Sequence, residues 1–181
     1  MSTFVAFLRA VNLGTQRRVA MGQLRTALTD AGYRDVATHL QSGNVVLSSR
    51  ASRPDSVARS VEKVLAAEFD LDVDVMVRTT SELAKITRTN PFLRAGSRAD
   101  PASLHVAFLK ARPSAAAARA ISGHDFGRDE FVVRGSELYL KYPNGVARSK
   151  MNTGFFERAL GTRATVRTWK VVMRLRELAR S

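Results

Sequence analysis

Arg9, Asn12, Ser42 and Asn44 bring one guanidinium, two amides and a hydroxyl, the groups that hold a carboxylate or a phosphate. Tyr142, Ser149, Lys150, Arg167 and Trp169 form a second set, near two segments that enter helices. Helix N-termini present free N–H groups and positive potential, so an anion is favoured there. Lys150 and Lys170 put cations in first helical turns, where the other half of the chain has Glu82. A cation disfavours the bare helix dipole, and that swap points to an anionic ligand. Plainer roles suit the same residues. Asn12 and Asn44 can satisfy turn backbone groups. Lys150 and Arg167 can be solvated, and Trp169 can pack at a helix edge.

Other chemistries find less support. The chain has no cysteine, hence no disulfide, thiolate nucleophile or Cys-based zinc site. His39, His105 and His124 lack metal-ligand spacing. Asp70, Asp72 and Asp74 alternate around a helix-to-strand junction without a calcium-loop pattern, and read as a solvated strand edge. No phosphate-binding glycine loop or nucleophile elbow is present. No metal, cofactor or catalytic residue is assigned.

Two similar runs organise the elements that must position these residues. Phe4–Ala10 (FVAFLRA) returns as His105–Ala111 (HVAFLKA). The first copy begins a strand over 3–10, followed by a polar loop over 11–19. Met21, Leu24, Leu28 and Ala31 share one helical face, and Gly32 stops that helix. Strands over 36–41 and 45–49 flank the tight turn Ser42-Gly43-Asn44. Pro54 opens a helix through Val57, Val61, Val64 and Leu65. A strand over 72–78 follows, and Thr79 with Glu82 makes a capping box for a helix to Arg88. The second copy repeats the order: strand 104–110, helix 114–121, hairpin strands 130–134 and 137–142, helix 149–160, strand 164–167 and closing helix 168–180. Val77-Arg78-Thr79 matches Val166-Arg167-Thr168, and Val57–Ser60 matches Val146–Ser149.

The fold class expected is α+β: two tandem β-α-β-β-α-β (ferredoxin-like) halves packed together, with a C-terminal helix. The halves span 1–89 and 103–181, joined by a linker over 90–102 that holds two prolines and a glycine. In such a unit the end of the first strand and the hairpin tip share one end of the sheet. The loop after strand one, with Asn12, Thr15, Gln16, Arg17 and Arg18, should approach Ser42-Gly43-Asn44 beside Arg9. Tyr142–Gly145, Ser149 and Lys150 should meet Arg167 and Trp169 in the same way. An RNA-recognition module shares this order, but it needs exposed aromatic rings on strands one and three. Strand one carries large apolar residues on both faces and strand three has no aromatic ring, which discounts that module.

Composition sets outer bounds. At 181 residues and 45% hydrophobic, the chain is globular, with room for one ordinary domain or two small ones. The N-terminal apolar run is broken at Arg9 and follows no basic segment, so it neither spans a bilayer nor reads as a signal peptide. A soluble cytoplasmic protein without membrane association is expected. The formal charge of +13 suggests nucleic acid, yet the 29 basic residues are spread along the whole chain. Dispersed charge is an argument about solubility and nonspecific association.

Phe7–Gly14 (FLRAVNLG), Gln41–Val46 (QSGNVV), Asn90-Pro91-Phe92, Ser149-Lys150 and Thr165–Trp169 (TVRTW) resemble the bacterial family called domain of unknown function 1697, in order along essentially the whole chain. The resemblance implies an α+β fold with two related halves and no established reaction, cofactor or partner. Ala10 and Thr15 stand where that family commonly has glycine, so the first loop brings its backbone less closely to a ligand.

The leading expectation is a protein binding a small anionic ligand, phosphate- or carboxylate-bearing. A nucleic-acid binder using the cationic surface is one alternative. An enzyme using Lys150 and Arg167 is the other: Lys150 would do acid–base work beside Ser149 and Tyr142, its pKa lowered by burial or by Arg167. Oligomeric state is not readable from the chain.

Overall fold

The computed structural model describes residues 1–12, 19–147 and 149–180. The first half runs β1 (Ser2–Leu8), α1 (Met21–Asp30), β2 (Arg34–His39), β3 (Asn44–Ser49), α2 (Pro54–Phe69), β4 (Val75–Thr79), α3 (Thr80–Arg88). The second runs β5 (Leu104–Leu109), α4 (Ala115–Ile121), β6 (Glu130–Arg134), β7 (Glu137–Lys141), α5 (Thr153–Leu160), β8 (Ala164–Thr168), α6 (Trp169–Leu178). Strand orders are β2-β3-β1-β4 and β6-β7-β5-β8. Every pairing is antiparallel. Both halves are therefore split β-α-β units in the ferredoxin-like order, each extended by a helix after its fourth strand. Close contacts divide the chain into Met1–Ala84 with Arg174–Ser181, and Lys85–Met173.

Local rules explain most boundaries. Proline at the first position starts α2, and Asp70 in the left-handed region ends it. Glycine closes α1 in a Schellman motif: Tyr33 N–H bonds Leu28 O at 3.1 Å and Gly32 N–H bonds Thr29 O at 2.9 Å. The capping box opens α3, with Glu82 N–H on Thr79 Oγ1 at 3.1 Å and Thr79 N–H on Glu82 Oε2 at 2.8 Å.

Strand ends repeat between the halves. Leu8 N–H bonds Gly43 O and Arg9 N–H bonds Asp74 O, as Leu109 N–H bonds Ser136 O and Lys110 N–H bonds Arg163 O. One layer of the first unit joins Phe4, Ala6, Leu8, Val45 and Leu47 to Leu24, Leu28, Val57, Val61 and Leu65. Fully burying one such side chain contributes about 1.5–3 kcal/mol. Ala107, Leu109, Leu138 and Leu140 pack likewise on Phe156 and Leu160. Phe4 through Leu8 are all fully buried, so β1 exposes no aromatic platform of the RNA-recognition kind.

The strands expected over 36–41 and 72–78 run Arg34–His39 and Val75–Thr79, and one further boundary bears on the candidate site. The helix expected from Ser149 begins at Thr153, because Asn152 Oδ1 accepts the Phe155 N–H at 3.0 Å and caps it there. Lys150 thus precedes the helix, and the argument from a cation in its first turn does not apply to it. Among the described residues, no helix is long and apolar enough to cross a membrane.

Candidate functional site

The first expected set meets as the topology requires, and its amides are spent on the backbone. Asn12 Nδ2 donates to Gln41 O at 2.7 Å and Val19 O at 3.0 Å, while its Oδ1 accepts the Val19 N–H at 2.7 Å. Asn44 is fully buried, and its Nδ2 donates to His39 O and to Ser42 Oγ. Asn12 and Asn44 therefore pin the β1 loop to the hairpin tip. Arg9 follows β1 at that end. Thr15, Gln16, Arg17 and Arg18 lie outside the described residues.

The second set is divided by its sheet. Tyr142 lies in the helix-side layer with Leu138 and Leu140. Arg167 pairs in register with Val106 and alternates with Val166, which packs on that layer, so Arg167 is on the opposite face. There it is buried and donates to Thr165 Oγ1 at 2.7 Å and Val166 O at 2.9 Å. Burial pushes its guanidinium down to about 10. Trp169 is buried as the first residue of α6. Lys150 is exposed. Arg167 therefore does not stand beside Tyr142 to tune Lys150.

Tyr142 and Ser149 do belong together. Tyr142 Oη donates to Met151 O at 2.9 Å, Met151 N–H bonds Ser149 Oγ at 2.9 Å, and Ser149 Oγ donates to Asp129 Oδ2 at 2.5 Å. Burial, with the Asp129 charge second, pushes the Tyr142 phenol up to about 12. Ser149 and Asp129 line a cleft of about 550 Å3 with Phe126, Arg128, Asn144, Gly145 and Ala147. It opens between the α4–β6 and β7–α5 connections. Phe126 is held there by edge contacts to Phe155 and Phe131.

The same place in the first half, between the α1–β2 and β3–α2 connections, also holds a cleft, of about 360 Å3. Gly32, Tyr33 and Arg34 line it from one side; Ser49, Arg50, Ser56 and Ser60 from the other. The Schellman turn fixes Tyr33, whose hydroxyl reaches Val57 O at 3.5 Å, and so directs the chain into Arg34. Ser49 is only 9% exposed; its Oγ accepts the Ala51 N–H at 3.1 Å. Among the described residues, the Ser49 hydroxyl donates its proton to no neighbour, and neither Arg34 nor Arg50 makes an ion pair. Among the described residues, no carboxylate lines this cleft. Asp55 turns to Arg53 at 3.9 Å, and Asp35 lines an adjoining depression that shares Arg34.

Arg34, Arg50 and Ser49 escaped the sequence reading because they stand on separate connections. The signal was cations at the start of one strand and the end of its neighbour, with serines at Ser49, Ser56 and Ser60. Among the described residues, no group of three His, Cys, Asp or Glu could hold a metal ion. His105 packs edge-on against Tyr142, 5.2 Å between ring centroids, and burial lowers its pKa. The His39 pKa is lowered by burial and by the Arg174 charge, and the His124 ring packs at a tilt against Phe126 and Phe155.

The fold has a solved relative. "The structure of conserved bacterial protein SP0830 from Streptococcus pneumoniae" matches with a TM-score of 0.78, covering 100% of this chain and 99% of that one. At 16% identity the likeness is one of fold. No match was found among curated proteins. The family model described as "Protein of unknown function (DUF1697)" matches residues 1–139, from β1 into β7. The chain belongs to that family.

Proposed function

We propose that the chain binds a small molecule bearing a phosphate or carboxylate group in the first-half cleft. One observation carries the reading: among the described residues, Arg34 and Arg50 line it without an ion pair, beside the undonated proton of buried Ser49, and no carboxylate lines it. Guanidinium groups bond such oxygens with charge assistance and in a planar fork. Ser56 and Ser60 add hydroxyls on successive turns of α2. A volume of about 360 Å3 is that of a small-ligand pocket. The net charge of +13 raises the local concentration of any anion.

A thermal-shift titration with inorganic pyrophosphate at two salt concentrations tests the reading. Saturating ligand, near 100 times Kd, stabilises the folded state by about 2.7 kcal/mol. For a chain of this size that raises Tm by about 5–10 °C. The double variant Arg34→Gln, Arg50→Gln should lose most of that shift. A shift equal in wild type and double variant would refute the site. Stronger stabilisation by a mixed-sequence oligonucleotide, falling log-linearly with salt, would favour nucleic acid instead.

A further inference from the structure

The second-half cleft occupies the equivalent place but carries charges of both signs. We infer that it binds a zwitterionic α-amino acid, its carboxylate on Arg128, its ammonium on Asp129 and an apolar side chain against Phe126.

Arg128 and Asp129 are consecutive and both line the cleft, so it presents one cation and one anion together. Asp129 Oδ2 accepts from Ser149. Among the described residues its Oδ1 has no partner, and Arg128 makes no ion pair, not even with Asp129. Both charges therefore face the cleft unneutralised. A simple anion meets repulsion from Asp129, and a simple cation meets it from Arg128; a zwitterion satisfies both.

The wall is held in place for this task. Ser149 fixes Asp129, Met151 N–H fixes Ser149, and Tyr142 fixes Met151. Phe126 is braced by Phe155, Phe131 and Phe156, offering a rigid apolar surface beside the charges. Among the described residues, Asn144, Gly145 and Ala147 also line the cleft and add no charge. The cleft volume, about 550 Å3, accommodates an amino acid with a branched side chain.

The test is an amide-shift titration of the 15N-labelled chain with L-valine, isovalerate and isobutylamine. The last two each keep one of valine's charges. L-valine should move Asp129, Gly145 and Ser149 saturably, with each single-charge analogue at least about tenfold weaker. Arg128→Gln and Asp129→Asn should each weaken valine about tenfold. The double variant Arg34→Gln, Arg50→Gln should leave it unchanged, separating this site from the first-half cleft. Should Asp129→Asn misfold through loss of the Ser149 bond, Arg128→Gln decides, since that exposed side chain holds nothing else. No valine response, equal response to either analogue, or undiminished binding by Arg128→Gln would overturn the assignment.

Discussion

Two copies of one topology have built the same cleft twice and lined it differently. The difference starts at one register position. Ser49 ends β3 opposite Ser2; in the second half Tyr142 follows β7, its N–H on Ser103 O. The small hydroxyl leaves room, and only residues 50–53 separate β3 from α2, which runs 16 residues. Tyr142 instead donates its hydroxyl to Met151 O, and residues 142–152 separate β7 from α5. Helix α5 then has 8 residues. The longer connection carries Ser149 onto Asp129, whereas the shorter one leaves Arg50 beside Arg34. A duplicated scaffold thus diverges at its connections while strand register is kept, as expected when function lives in loops on a rigid frame.

The largest expected contrast lies at the hairpin tips. Gly43 has φ +71, and an added Cβ would strike the Val11 and Leu8 side chains. Gly135 has φ +62, but its nearest neighbour is Glu137 Oε2 at 3.8 Å. Gly43→Ala should cost about 3 kcal/mol, strain plus overpacking. Gly135→Ala should cost about 1 kcal/mol, strain alone. Equal costs by denaturant unfolding would show that the first tip is no tighter than the second.

Next is Tyr142→Phe, which strands the buried Met151 carbonyl and should cost about 1–2 kcal/mol. The phenol is raised from 10 to about 12 in the folded state. Its contribution is therefore complete below pH 10 and is lost as pH rises from 10 to about 12. The variant should lack that alkaline decline; an unchanged limb would remove Tyr142 from the account.

Smaller still is the effect of His105, whose register counterpart in β1 is Phe4. Burial lowers its pKa below 6.5, with the Ser103 backbone acting in the opposite direction. The unfolded chain then binds the proton first, so stability falls as pH drops below 6.5 towards the lowered value. His105→Phe, borrowing the first-half residue, should flatten that acid limb. A limb of the same slope in the variant would assign it to another group.

Much of the fold was legible because it depends on local rules. The FVAFLRA and HVAFLKA runs announced two equivalent central strands, and Thr79 with Glu82 announced a cap that forms as spaced. Sequence also placed Asn12 beside the hairpin tip, since β-α-β-β topology demands it. It did not see that Arg167 and Tyr142 face opposite sides, although strand alternation from Val166 contained that information. The start of α5 was misplaced because Ser149 and Asn152 are both good caps. The choice between them fell to Asp129, which is distant in sequence and holds Ser149 outside the helix. Neither cleft was legible, because each is assembled from two connections whose approach depends on helix packing.

The most direct test of the contrast is an amide-shift map of the 15N-labelled chain titrated with inorganic pyrophosphate. The account predicts saturable shifts at Gly32, Tyr33, Arg50 and Ala51, small shifts at Asp129 and Ser149, and affinity at least about tenfold lower in the Arg34→Gln, Arg50→Gln variant. Shifts spread evenly over both clefts, or undiminished in that variant, would contradict it.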